Sequence, residues 1–133
     1  MAALIDTSVL IDVEYGRLSL ASLAARHGDE DVMISAVTAS ELLHGVHRVR
    51  PGARAAQAEV FVEGLLALLP VLPFDLAEAR THARLSADLQ ARGLAVGAHD
   101  LLIAATALAN DCRVITRDLR SFSRIRGLDV LKI

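Results

Sequence analysis

The stretch "GAHDLLIAATALA", residues 97–109, combines one histidine and one carboxylate with nine uncharged, mostly apolar residues that follow them. Residues 101–109 are apolar on nearly every side of a helix, which predicts that this helix lies directly against a sheet. The sequence therefore predicts a core helix from about His99 to Ala109 that holds one carboxylate, Asp100, in a defined place at its start.

Short buried strands alternate with helices along the rest of the chain, and this order favours a parallel sheet covered on both faces. Strands are predicted at Ala3–Ile5, Val32–Ile34, Arg113–Ile115 and Asp129–Leu131, with "PVLPF" (residues 70–74) as a short or edge strand. Helices are predicted at residues 8–14, in residues 18–31 up to Gly28, from Thr38 to about Val49, over residues 53–69, from Asp75 to Gly93, and at residues 119–123. The fold class is α/β, with a single domain over residues 1–133.

Composition and charge narrow the class of protein. Hydrophobic residues make up 53% of the chain and aromatic residues 3%, so stacking platforms for bases are scarce. The one cysteine, Cys112, forms no internal disulfide, and no segment has the length of a membrane helix. We therefore expect a cytoplasmic protein that does not associate with membranes.

The net charge of −2 argues against a simple basic binder of nucleic acid. Residues 1–45 carry seven acidic and two basic side chains, whereas residues 99–133 carry four acidic and six basic ones. This distribution suits a phosphate polymer held through a cation and a basic rim, and it equally suits an ordinary solvated surface.

Four carboxylates fall where the strands of such a sheet end or where the following helices begin: Asp6, Glu41, Asp100 and Asp118. The carboxyl ends of parallel strands share one edge, and ligands bind there. Each residue also has a local explanation, because Asp6 suits an Asx turn, Glu41 a capping box with Thr38, and Asp100 and Asp118 helix caps. Together, however, four carboxylates at one edge repel one another unless a cation neutralises them.

Magnesium prefers oxygen ligands, so it suits such a cluster better than zinc does. His44 and His47 lie three residues apart on one helix, but no third ligand accompanies them, which favours a surface or core role. Carboxylate-bound magnesium without a phosphate-binding loop indicates phosphoryl chemistry in which a metal-activated water attacks a phosphate of the substrate.

Four segments resemble the signature blocks of PIN-domain ribonucleases, and more narrowly the VapC-type toxins of bacterial toxin–antitoxin pairs. They are "LIDTSVLID" (residues 4–12), "ISAVTASELLHGV" (34–46), "HDLLIAATALA" (99–109) and "VITRDLRSF" (114–122). The resemblance implies an α/β/α sandwich and an endoribonuclease that depends on Mg²⁺ or Mn²⁺.

The resemblance also implies roles for particular residues. Catalytic carboxylates would be Asp6, Glu41, Asp100 and Asp118; of these, Asp6, Asp100 and Asp118 would hold the metal, while Glu41 would orient or help deprotonate the water. Thr7 and Thr116 would support the carboxylates by hydrogen bonds. One departure is Ser121, because many relatives carry an acidic residue three positions past Asp118. Candidates for contacts to the RNA backbone are Arg113, Arg117, Arg120, Arg124 and Arg126.

The family resemblance further implies a homodimer and a cognate antitoxin whose tail lies in an apolar groove between the early helices. The segments "SVLIDVEYG" (residues 8–16) and "LSLASLA" (18–24) supply apolar side chains for that groove, or else only complete the core of the monomer. His99 has no role assigned by the sequence.

Two alternatives remain open from the residues. A catalytically silent module of the same fold would bind RNA or protein without cutting. Another Mg²⁺-dependent phosphoryl-transfer domain would also gather acids at this edge, although the only lysine is Lys132 and the run after the first strand is Asp6-Thr7-Ser8 rather than Asp-x-Asp.

Overall fold

The sheet brings the carboxyl ends of its strands to one edge. The computed structural model describes residues 2–28 and 30–133, and Met1 and Asp29 lie outside the described residues. Within these ranges the sheet has the strand order β3-β2-β1-β4-β5, and every neighbouring pair is parallel. The strands are β1 (Ala2–Ile5), β2 (Val32–Ser35), β3 (Val71–Leu72), β4 (Cys112–Thr116) and β5 (Val130–Lys132). The predicted parallel sheet is confirmed, and "PVLPF" contributes the short edge strand β3.

Helices connect the strands and cover the two faces of the sheet. They are α1 (Thr7–Glu14), α2 (Leu20–Arg26), α3 (Ala36–Arg48), α4 (Ala53–Leu68), α5 (Leu76–Ala91), α6 (Ala98–Ala109) and α7 (Leu119–Phe122). Gly93 ends α5 with a positive φ of 67°, a conformation that glycine adopts without steric cost. Among the described helices, none is long and apolar enough to cross a membrane.

Alternating side chains of β1 build two separate cores. Ala3 and Ile5 face the core formed with α1, α3 and α4, whereas Leu4 faces the core formed with α5 and α6. Ile103, in the middle of α6, is fully buried in the same core as Leu4 and Val114. The prediction that the apolar helix lies against the sheet is therefore confirmed, and Asp100 is held at its sheet-edge end.

The predicted start of α3 is wrong by two residues. The helix begins at Ala36 rather than Thr38, because the Ser35 hydroxyl accepts a hydrogen bond from the backbone N–H of Thr38 (3.0 Å) and so caps the helix earlier. The predicted capping box of Thr38 with Glu41 is wrong for the same reason. Glu41 lies in the second turn, where its carboxylate is available for contacts with other elements.

Candidate active site

Asp6 follows the last residue of β1, and its buried carboxylate is held by two hydroxyl groups. Oδ2 of Asp6 accepts hydrogen bonds from Ser8 Oγ (2.7 Å) and Thr116 Oγ1 (2.8 Å). Ser8 Oγ in turn accepts the backbone N–H of Arg117 (3.2 Å), and Thr116 Oγ1 accepts that of Asp118 (2.9 Å). Because an ionised carboxylate only accepts, each hydroxyl directs its single proton to Asp6 while its oxygen accepts from a backbone amide. The carboxylate orientation is therefore tied to the loop that follows β4.

Glu41 is joined to the neighbouring helices through both of its carboxylate oxygens. Thr7 Oγ1, at the start of α1, donates a hydrogen bond to Oε1 (2.9 Å). Nδ1 of His99, in the first turn of α6, lies 3.3 Å from Oε2. Side chains from α1, α3 and α6 therefore meet at Glu41, and His99, which the sequence left without a role, is one of them.

Asp100 and Asp118 occupy different local environments at the same edge. Asp100 lies half-buried in the first turn of α6, whose N-cap is Gly97. The cap proposed for Asp100 is therefore absent, although its charge still complements the helix dipole. Asp118 is exposed and does cap its helix, since it accepts hydrogen bonds from the backbone N–H of Arg120 (3.1 Å) and from Ser121 Oγ (3.3 Å).

The negative charges of the predicted carboxylates act on Asp6 and on Asp100. Burial raises the pKa of Asp6 above its ordinary value; hydrogen bonds from Ser8, Thr116 and the backbone of Thr7 oppose this shift, and the charge of Glu41 adds to it. Burial also raises the pKa of Asp100, with contributions from the negative charges of Asp6, Asp118 and Glu41 and opposition from the Ser121 hydroxyl. The sequence-predicted set is therefore brought together electrostatically around Asp100.

The raised pKa of Asp100 predicts a pH-dependent loss of stability in the metal-free protein. Between the ordinary Asp value of 3.8 and the raised pKa, the folded state binds more protons than the unfolded state. Stability therefore falls as the pH rises through this window, and the loss is complete above it. We expect the melting temperature of the wild-type protein to fall relative to that of Asp100→Asn as the pH increases. A difference that stays constant with pH would contradict the prediction.

The donor set suits a hard divalent cation. Across residues 2–28 and 30–133, no three His, Cys, Asp or Glu side chains stand together at metal-ligating distance. Mg²⁺ does not require three, since it usually binds one or two carboxylates and keeps several waters. Asp6 and Asp100 offer oxygen ligands whose raised pKa values reflect burial and neighbouring negative charge, which a cation would offset. The residues therefore fit Mg²⁺ or Mn²⁺.

Several residues of the site were not identified from the sequence. Ser8, two positions past Asp6, could have been found from its spacing, because a hydroxyl there can reach the preceding carboxylate. Ser35 and Thr38 carried no such signal, since their link to Glu41 passes through Thr7, more than 25 residues earlier in the chain. His99 likewise meets Glu41 only because α3 and α6 pack at the same edge.

Three of the five arginines predicted to contact RNA differ in their surroundings. Nε of Arg117 lies 2.9 Å from the Asp12 carboxylate, and Nη1 of Arg124 donates to the carbonyl of Ala95, so both are engaged within the protein. Arg120 is exposed beside Asp118, and in the part of the chain that the structure describes it forms no ion pair. Among the described residues, Arg120 is therefore the one of the three whose guanidinium has neither an ion-pair nor a hydrogen-bond partner.

The two other arginines predicted to contact RNA also have partners within the protein. Arg113 donates to Glu30 (2.9 Å) and lies 3.1 Å from the ring of His27. Arg126 reaches Asp88 at 3.5 Å.

His44 and His47 are exposed, in agreement with a surface role, and Cys112 is buried, which raises the pKa of its thiol.

A groove of about 640 Å³ begins at Thr7, Glu41 and His99 and extends along α1 and α3. Ile11 and the largely exposed Tyr15 line it, both from the segment of residues 8–16. The other candidate segment, residues 18–24, packs into the core instead: Leu23 is buried, and the flanking leucines contact the same cluster. Of the two segments proposed for a groove, the first lines this one, whereas the described residues of the second do not.

Comparisons with known proteins agree with this architecture. The family model of the PIN domain matches residues 3–128. Ribonuclease VapC1 from Rickettsia felis is 36% identical over 133 residues, covering 100% of this chain and 97% of that protein. The tRNA(fMet)-specific endonuclease VapC from Salmonella typhimurium is 33% identical over 97 residues, covering 73% of this chain and 71% of that protein.

A solved structure matches the fold over nearly its full length. The structure of DNA-bound VapBC from Salmonella typhimurium has a TM-score of 0.88 and 26% sequence identity to this chain, and covers 99% of this chain and 98% of that one. The family model and the full-length relative lead to the same assignment. The chain belongs to the PIN-domain family and, within it, to the VapC ribonucleases of toxin–antitoxin systems.

Proposed function

We propose that the protein is a metal-dependent endoribonuclease whose reaction takes place among Asp6, Glu41, Asp100 and Asp118. The observation that carries this proposal is the electrostatic clustering at Asp100, whose pKa is raised by the charges of the other three carboxylates as well as by burial. A fold that keeps these groups together without neutralising them is suited to a cation.

In this proposal Asp6 and Asp100 would hold the cation. Asp118 is already the cap of α7, so it would act from the rim, through water or as a third ligand. A bound Mg²⁺ or Mn²⁺ would polarise the scissile phosphate and acidify the attacking water. Glu41 would orient that water and accept its proton, since both of its oxygens keep a free acceptor site beside their contacts with the Thr7 hydroxyl and with His99.

The substrate is proposed to be RNA, with Arg120 beside Asp118 available for a backbone phosphate. Such contacts position an RNA chain without specifying its sequence. The engagement of Arg117 with Asp12 and of Arg124 with Ala95 makes these two weaker candidates for the same role. One relative is named for tRNA(fMet), so tRNA is the first RNA class to test.

A cognate antitoxin is the proposed protein partner. Related chains are solved as VapBC complexes, and the groove lined by Ile11 and Tyr15 leads to Glu41. An antitoxin segment in this groove would place its side chains next to the site and block access to it. The homodimer implied by the family resemblance stays a prediction.

Cleavage assays with purified protein test the proposed function. Incubation with tRNA and with unstructured RNA is expected to give defined fragments when Mg²⁺ or Mn²⁺ is present. Chelation should stop the reaction and added metal should restore it, since the carboxylates alone supply no positive charge. Cleavage that persists under chelation would refute the metal dependence. Intact RNA under every metal condition would favour the catalytically silent alternative.

A further inference from the structure

A row of buried hydroxyl groups connects the start of α3 to Glu41. Ser35 and Thr38 are 0% exposed and Thr7 is 7% exposed. Ser35 Oγ lies 3.2 Å from Thr38 Oγ1, which lies 3.1 Å from Thr7 Oγ1, and Thr7 Oγ1 lies 2.9 Å from Oε1 of Glu41. Each spacing is within hydrogen-bond distance, so the four side chains form one continuous chain.

The donors and acceptors of these hydroxyl groups meet at Thr38 and at Glu41. Thr7 Oγ1 faces two acceptors, Oε1 of Glu41 (2.9 Å) and Oγ1 of Thr38 (3.1 Å), so its one proton is shared between them. Ser35 Oγ accepts the backbone N–H of Thr38 (3.0 Å) and donates its own proton to Thr38 Oγ1. Thr38 Oγ1 thus accepts from both neighbours and fixes the position of the Thr7 hydroxyl that reaches Glu41.

We propose that Ser35, Thr38 and Thr7 are positioning residues that hold Oε1 of Glu41 and thereby keep Oε2 facing the rim beside His99. Glutamate has several rotamers, and a directed donor from a buried hydroxyl restricts them. Ser35, which caps α3, thus also belongs to the hydrogen-bonded group that holds Thr7. The inference rests on the proposed function only because it assumes that Glu41 takes part in RNA cleavage. The hydrogen bonds themselves are present in the metal-free protein.

Thr38→Val tests the chain at its centre, because valine has nearly the same shape but no hydroxyl. We expect kcat for RNA cleavage to fall about 10-fold with KM little changed, as for other outer residues that orient a reacting group. Thr38→Ser keeps the hydroxyl and is expected to recover most of the lost rate. The matched control is Thr106→Val: this threonine is 1% exposed, and its hydroxyl donates to the Leu102 carbonyl (2.8 Å).

Repeating Thr38→Val in the Glu41→Gln variant distinguishes an effect on the position of Glu41 from a general effect on the structure. If the chain acts through Glu41, Thr38→Val lowers the rate of Glu41→Gln little or not at all, because the two losses are not additive. Equal fold-losses in both backgrounds would overturn the proposal, as would equal effects of Thr38→Val and Thr106→Val in the wild-type background. If Thr38→Val does not fold, the pair Thr7→Val and Thr7→Ser makes the same comparison.

A measurement on the metal-free protein distinguishes this proposal from the proposed function. The hydroxyl protons of Thr38 and Thr7 are expected to exchange slowly enough for detection by NMR, and the Thr7 signal should shift in Thr38→Val. Absence of both protected signals in the wild-type protein overturns the proposal, whether or not RNA is cleaved. Protected signals in a protein that cleaves no RNA would confirm the hydrogen-bond chain and refute the proposed function instead.

Discussion

Asp100→Asn is expected to abolish RNA cleavage while leaving the fold intact. Asparagine has nearly the same shape, but it removes the negative charge that three other carboxylates surround. Stabilisation of transition-state charge by a bound cation contributes several kcal/mol, and about 4 kcal/mol corresponds to about 10³-fold in rate. Single-turnover cleavage of a labelled RNA would measure this loss, and calorimetric titration with Mn²⁺ would show weakened binding.

The same helix offers a matched control for this variant. Asp111 lies just past the other end of α6, and its φ of 57° is one that asparagine adopts readily. Asp111→Asn makes the same chemical change far from the site, so it should cleave RNA at the wild-type rate. Cleavage by Asp100→Asn within about tenfold of the wild-type rate would mean that this carboxylate does not bind the metal.

Phe122→Ala is expected to lower the free energy of unfolding strongly. Phe122 ends the four-residue helix α7, is 0% exposed, and packs in the core that contains Leu4, Ile103 and Val114. Truncation of a buried phenylalanine costs about 3–5 kcal/mol, a large share of the roughly 5–15 kcal/mol by which a domain is stable. Urea denaturation should therefore show a lower midpoint at an unchanged slope.

A second substitution in α7 tests whether the loss of stability depends on the burial of the side chain that is truncated. Leu119 begins the helix and is 41% exposed, so Leu119→Ala should cost less than about 1 kcal/mol. Similar losses of unfolding free energy for the two variants would contradict the conclusion that the buried Phe122 side chain attaches α7 to the core. Phe122 holds α7, which carries Ser121 and is capped by Asp118. The folded molecules of Phe122→Ala are therefore also expected to cleave RNA more slowly than the wild-type protein.

Local patterns were sufficient to predict the strands, the helices and the four carboxylates. Residues 101–109 are apolar all round, and a helix of this kind is stable only when it is enclosed, which placed it against the sheet. Asp6 directly follows β1 and Asp118 lies two residues past the end of β4, so a parallel sheet brings them to the same edge. These inferences need only periodicity and chain order, and the structure agrees with them.

The helix caps were predicted less well, because two hydroxyls competed for the start of α3. Thr38 with Glu41 has the spacing of a capping box, but Ser35 is nearer to the end of β2 and takes the role. A cap is decided by which residue leaves the strand geometry first, and Ser35 is the last residue of β2. The error mattered because it hid the availability of Glu41 for Thr7.

By itself, the sequence determined the fold class and the sheet edge at which the four carboxylates of the proposed site lie, since each depends on residues close together in the chain. Only the tertiary structure decided which groups hold those carboxylates. Thr116 meets Asp6 across 110 residues and Thr7 meets Glu41 across 34, and such contacts depend on strand register and helix packing rather than on spacing. Likewise, Arg117 and Arg124 could be distinguished from Arg120 only once their partners Asp12 and Ala95 were seen beside them.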